Sequence, residues 1–282
     1  MQRPAPDLAA KLTRRMAARE PCWFPGLADE VVTAFWAKPQ RIDRLRYSTA
    51  RWLGDEPDPG HRALTVPGHP TIAFEPLPAA FVSRFGSQEP GHKPAEIAPV
   101  TGEALACLLH NGAGMAVVRL IRSIHCIRAL GPGYDCSHSE PAIPFSVFLS
   151  VPLGERHARL RLAESLLHEA MHLQLSLVEL QAPIVGSEPD YAYSPWQQSI
   201  RPVHGLLHGL YVFTAIHQWL TELLSDPTTS DEVRIYAERR QFEIAKEVAA
   251  VTHLPRSGTL TTFGRMLAAG LLDRVPPPAA VR

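Results

Sequence analysis

The sequence has no net charge, few cysteines and no long apolar run, and each shortage removes a class of function. Its 28 Lys and Arg residues are balanced by 28 Asp and Glu. Dedicated nucleic-acid binders carry a basic excess that follows the phosphate backbone, so no nucleic-acid partner is expected. A membrane-spanning helix needs on the order of 18 or more apolar residues in a row; none occurs, so no membrane partner is expected either. The opening residues, MQRPAPDLAAKLTRRMAAREP, put charges where the apolar core of a secretion signal would sit. That predicts a cytoplasmic protein. Cys22, Cys107, Cys126 and Cys136 are scattered and form no Cys-x-x-Cys pair. They read as free or buried thiols in a reducing compartment, not as a disulfide framework.

Proline and histidine, in contrast, are abundant: 27 and 13 of 282 residues. The prolines predict a loop-rich fold around a helical centre. The length is ample for a real core. One integrated domain is expected, with a helical, loop-rich region over 1–100, a metal-binding catalytic region over 101–275 and a disordered tail over 276–282.

Apolar spacing predicts helices over 6–19 and 28–36, the second continuing toward Trp52, and a helical turn over 78–84. Thr71–Phe74 reads as a strand and 102–110 as a short helix. The run 115–130 is ambiguous, because β-branching favours strand and length favours helix. GPGYDCSHSEPAIP (131–144) and 182–199 are dense in turn-formers and read as loops. FSVFLSV (145–151) reads as a buried strand. The longest helical pattern runs over 155–180, with no internal Gly or Pro. Further helices are expected from Pro202 to about 224, over 231–252 and over 260–272. The fold class is mainly α with a small β element.

The chemistry concentrates on the long helix, in His168-Glu169-Ala170-Met171-His172. Residues four apart on a helix differ by about 40° in azimuth and about 6 Å in rise, so both imidazoles can reach one metal ion. Glu169 lies between them and can address a metal-bound water. Glu164 and Glu179 fall on a similar face and can orient the rings. Paired histidines on a helix are often merely solvated surface. The flanks here, LAESLLHEAMHLQLSL, are apolar, and a buried helix with this polar stripe is costly unless the stripe has a partner.

A third ligand is needed, and the helix from Pro202 offers His204 and His208. His208, deeper in LLHGLYVF, is the expected ligand; His204 and Glu179 are the alternatives. Gly205 and Gly209 are expected to let the two ligand-bearing helices pack closely. His217 falls about 180° round from His208 and reads as unrelated to the metal.

Three stretches, YDCSHSEPAIPFSVFLSVP (134–152), RLAESLLHEAMHLQLSLVEL (161–180) and SPWQQSIRPVHGLLHGLYVF (194–213), resemble a bacterial family of HExxH-motif peptide-modification proteins. These act near, or fused to, maturation enzymes for ribosomally made peptides. The resemblance implies Fe(II)- and 2-oxoglutarate-dependent β-hydroxylation of a precursor peptide, with other maturation enzymes as further partners. Many members carry Arg after the SPW element, where this chain has Gln197; Arg201 follows shortly.

The same ligands serve two reactions. With zinc, Glu169 is the catalytic general base of a metallopeptidase. With iron, three protein ligands leave room for 2-oxoglutarate and dioxygen, the usual set being two His and a carboxylate. Three histidines depart from that set, and Glu179 would restore it. Arg201, by its bidentate fork, is the expected partner of the 2-oxoglutarate carboxylate. Ser137, His138 and Ser139 are expected to line the substrate side, and FSVFLSV to offer a strand edge to an extended peptide. A catalytically inactive, peptide-binding partner of a maturation complex is the third reading; the intact His168, Glu169 and His172 speak against it.

Overall fold

Amphipathic spacing, few helix-interior breakers and well-placed caps build eight α-helices among the described residues, beside a five-stranded and a two-stranded sheet. The computed structural model describes residues 7–37, 63–75, 77, 93–128, 133–139, 145–186 and 189–278. The protein is mainly α with a small β element. It divides into two units, Pro25–Gln174 and the pair of segments Met1–Phe24 and Leu175–Arg282. The first hundred residues are therefore shared between the units.

The unit Pro25–Gln174 holds α2 (Leu27–Trp36), β1 (Ala63–Leu64), β2 (Ile72–Glu75), α3 (Pro94–His110), α4 (Ala113–Leu120), β3 (Ser123–Cys126), β4 (Ser137–Ser139) and β5 (Ser146–Leu149). Most of α5 (Ala158–Glu179) also belongs to it. The sheet order is β1-β2-β3-β5-β4, with β2, β3 and β5 parallel and the outer strands antiparallel to their neighbours. Parallel strands lie buried on both faces, so β5 is apolar almost throughout. The core gathers Phe74, Ile124, Val147 and Phe148 with Leu108, Val117 and Leu120 of α3 and α4. Buried Ser123 and His125 on β3 need polar partners. The Ser123 hydroxyl lies 2.6 Å from Glu75 Oε2 and 3.2 Å from His125 Nε2, and the His125 ring stacks on Phe148 at 4.9 Å.

The second unit holds α1 (Leu8–Ala17), the end of α5, the hairpin β6 (Tyr191–Ser194) and β7 (Ser199–Pro202), α6 (Val203–Ser225), α7 (Asp231–Ala249) and α8 (Thr262–Leu272). Side-chain caps start three of these helices: Asp7 accepts from Ala9 and Ala10, Ser230 from Val233, and Thr261 from Gly264. Arg274 ties the α8 end to α1 through the carbonyls of Met16 and Glu20 and through Cys22 Sγ. Gln241 on α7 donates to Thr221 Oγ1 on α6 at 2.6 Å. All four cysteines are free. Burial pushes the Cys22 thiol up to about 11 and Cys126 up to about 12, which disfavours the nucleophilic thiolate.

The expected elements are mostly present, with instructive differences. The ambiguous run 115–130 is both helix and strand, α4 followed by β3. The short helix expected from 102 begins at Pro94, a residue suited to a first helical position, with Glu96 accepting from the Lys93 amide at 2.9 Å. Two expected loops contain strands, β4 and the β6–β7 hairpin. Pro202 ends β7 and caps α6 instead of lying in its first turn. The continuation toward Trp52, the turn over 78–84 and residues 279–282 of the tail lie outside the described residues.

Candidate metal centre

His168 and His172 leave adjacent turns of α5, and their Nε2 atoms stand 3.2 Å apart. Two nitrogens bound in neighbouring positions at about 2.1 Å from one metal lie roughly 3.0–3.4 Å apart, so the pair has the spacing of a bidentate grip. Both rings are partly exposed, and an ion can approach them.

Glu169, in the same turn, is 2% exposed. Burial pushes its carboxyl up to about 7, against the opposing effect of hydrogen bonds from the hydroxyls of Ser137 and Ser139. The alternation of β4 explains that pairing, since residues two apart in a strand share a face. His138 points the other way, its ring 6.2 Å from Phe148. The sequence placed Ser137, His138 and Ser139 along a substrate; the structure turns the two serines onto Glu169. Arg161, two turns before Glu169 on α5, fixes this register. It forks onto Asp135 through two 2.7 Å bonds and reaches Glu155 with a third. The YDCSHS segment is thereby clamped to the helix that carries the motif.

β5 does not offer the edge expected of FSVFLSV, because it is paired on both sides, with β3 and with β4. The sheet ends instead at β1 and β4, so the strand bearing Ser137 and Ser139 is one of its two edges among the described residues.

In the other unit, Glu179 at the end of α5 meets the start of α6. His204 Nε2 lies 2.9 and 3.1 Å from its two oxygens, and His208 Nε2 lies 2.8 Å from Oε2. Burial pushes the Glu179 carboxyl up, but the hydrogen bonds and charges of the two histidines prevail and hold it at about 2. The Glu179 hydrogen bond raises His204, whereas burial lowers His208 despite the same carboxylate. His204 is thus the more readily charged of the two rings beside Glu179. The expected third ligand, His208, is joined here by both of the alternatives named for it.

Gly209 does admit a close neighbour, but that neighbour is the Trp196 ring of the SPW turn. A Cβ on Gly209 would stand 2.7 Å from it, while a Cβ on Gly205 would meet nothing within 4 Å. Trp196 also stacks on Phe213, centroids 5.3 Å apart. Arg201 is exposed on β7, and its guanidinium contacts Gln197 Oε1 and Ser199 Oγ at 3.3 Å. His217 is buried on α6, and burial lowers its ring. A 310 Å³ cleft between α1 and α8, lined by Met16, Arg19, Met266 and Arg274 among others, contains none of the predicted site residues.

No family model matches the chain, and no curated protein does. Among the described residues, no helix is long and apolar enough to cross a membrane.

Proposed function

We propose that this protein is an Fe(II)- and 2-oxoglutarate-dependent hydroxylase of a ribosomally made precursor peptide, with His168 and His172 as two of the metal ligands. The 3.2 Å approach of the two Nε2 atoms supports a metal at this place. The choice of hydroxylation follows the resemblance of residues 134–152, 161–180 and 194–213 to the HExxH peptide-modification family, and the burial of Glu169, engaged by two serine hydroxyls, weighs against a peptidase base. A peptidase base must reach a metal-bound water. A carboxylate engaged by β4 is better suited to holding the edge strand against α5. Bound iron with 2-oxoglutarate and dioxygen supplies the oxidation, placing one oxygen atom in a peptide C–H bond and releasing succinate and carbon dioxide.

The chain's own contribution is positional. Arg161 clamps the segment before β4, Ser137 and Ser139 fix that strand to Glu169, and β4, an outer strand of the sheet among the described residues, is where an extended peptide would pair. A zinc metallopeptidase remains the second reading, favoured by the 3.9 Å between Glu169 Oε1 and His168 Nε2. Intact-mass analysis of the precursor peptide separates the two. The hydroxylase adds one oxygen atom per modified residue, with matching succinate, and needs dioxygen. Shorter fragments, formed equally well without oxygen and 2-oxoglutarate, would establish the peptidase.

A further inference from the structure

We infer that Glu179, His204 and His208 form a divalent-metal site of their own, separate from the His168–His172 pair. The ligand atoms of the three residues all lie within 4.8 Å of one another. Two of the three donors are histidines one helical turn apart on α6, and the third is a carboxylate at the end of α5. The set is two imidazoles and one carboxylate, the composition that suits octahedral first-row ions with open positions.

An ordinary hydrogen-bonded tie would explain one histidine on Glu179. It does not require a second, four residues on, to converge on the same group. Nitrogen and oxygen donors in neighbouring octahedral positions at about 2.1 Å from a metal lie about 3.0 Å apart, whereas tetrahedral ones lie about 3.4 Å apart. The observed nitrogen–oxygen separations, 2.8, 2.9 and 3.1 Å, are hydrogen-bond distances near these values, so one ion can sit among the three groups with small side-chain shifts. Access is provided by His204, whose side chain is 47% exposed beside an 8% exposed His208. The entering ion takes the place of the hydrogen bonds between the two rings and the carboxylate. The donor chemistry points to Fe(II), Mn(II), Co(II), Ni(II) or Zn(II), and not to Mg(II) or Ca(II), which prefer all-oxygen shells.

This inference goes beyond the proposed function and stands without it. The test is titration of the metal-free full chain with Co(II), read by bound-metal stoichiometry and visible absorption. Four proteins are compared: wild type, Glu179→Gln, His204→Ala and the double variant His168→Ala/His172→Ala. Circular dichroism and a thermal melt check each variant's fold, and His204→Ala, changed at an exposed position, keeps the test valid if Glu179→Gln does not fold. The expected result is two ions per wild-type chain, with one lost in Glu179→Gln and in His204→Ala, and the other lost in the double variant. One ion lost only in Glu179→Gln and His204→Ala would uphold this site and remove the basis of the proposed function. One ion lost only in the double variant, one ion lost in all variants, or no ion bound would overturn the separate site.

Discussion

Glu169 owes its character to its neighbours. A helical glutamate facing solvent is an ordinary carboxylate; this one is 2% exposed and accepts two serine hydroxyls from an edge strand. On the hydroxylase reading its task is to hold β4, and an amide of the same shape can still accept those hydroxyl protons. Glu169→Gln should therefore keep its bound metal and a measurable part of its 2-oxoglutarate turnover, read as succinate released. A peptidase would lose nearly all turnover with the same change, because its general base is gone. The motif itself was legible in the sequence, since a spacing of four on a helix converts directly into a shared face. The task of Ser137 and Ser139 was not. Their segment is rich in turn-formers, and three residues are too few to display the alternation that makes a strand recognisable.

Among the elements, α6 carries a glycine whose close neighbour is a tryptophan ring and not a helix. Gly209 is needed because the Trp196 ring fills the space where a Cβ would be. Trp196 cannot retreat freely, since it lies against Phe213 with an interplanar angle of 12°. Gly209→Ala should lower stability by about 1–3 kcal/mol, the usual cost of overpacking, against about zero for Gly205→Ala beyond a helix-propensity gain. Thermal or urea melts of the two variants measure the difference. The hairpin that delivers Trp196 escaped the sequence because SPWQQ reads as loop. Its flanks, Tyr191–Ser194 and Ser199–Pro202, carry exposed Tyr191, Tyr193 and Ile200 where an apolar signal would point inward. The long helices α5, α6 and α7 were legible, since periodicity over five or more turns outweighs local ambiguity. The run 115–130 was not, because two short elements of opposite period sit end to end within it.

At the scale of the whole molecule, stability should respond to pH through Glu222 on α6, whose carboxyl burial raises to about 7. The folded protein then binds this proton more tightly than the unfolded chain does. Its contribution is complete below the ordinary value of 4.5 and is lost as pH rises through about 7. Glu222→Gln should consequently be more stable than wild type at pH 8 and nearly equal to it at pH 4, as chemical denaturation at the two pH values would reveal. A wild-type advantage at pH 8 would mean that Glu222 is paired instead of desolvated.

The central claim, that His168 and His172 hold iron for an oxygenase, is tested most directly without the peptide. Protein loaded with Fe(II) in the absence of oxygen is mixed with 2-oxoglutarate, and its visible spectrum is recorded before and after oxygen is admitted. The account predicts a charge-transfer band that needs both iron and 2-oxoglutarate, fades with oxygen as succinate appears, and is missing in His168→Ala and in His172→Ala. No band in the wild type, or a band of the same strength in both variants, would contradict it.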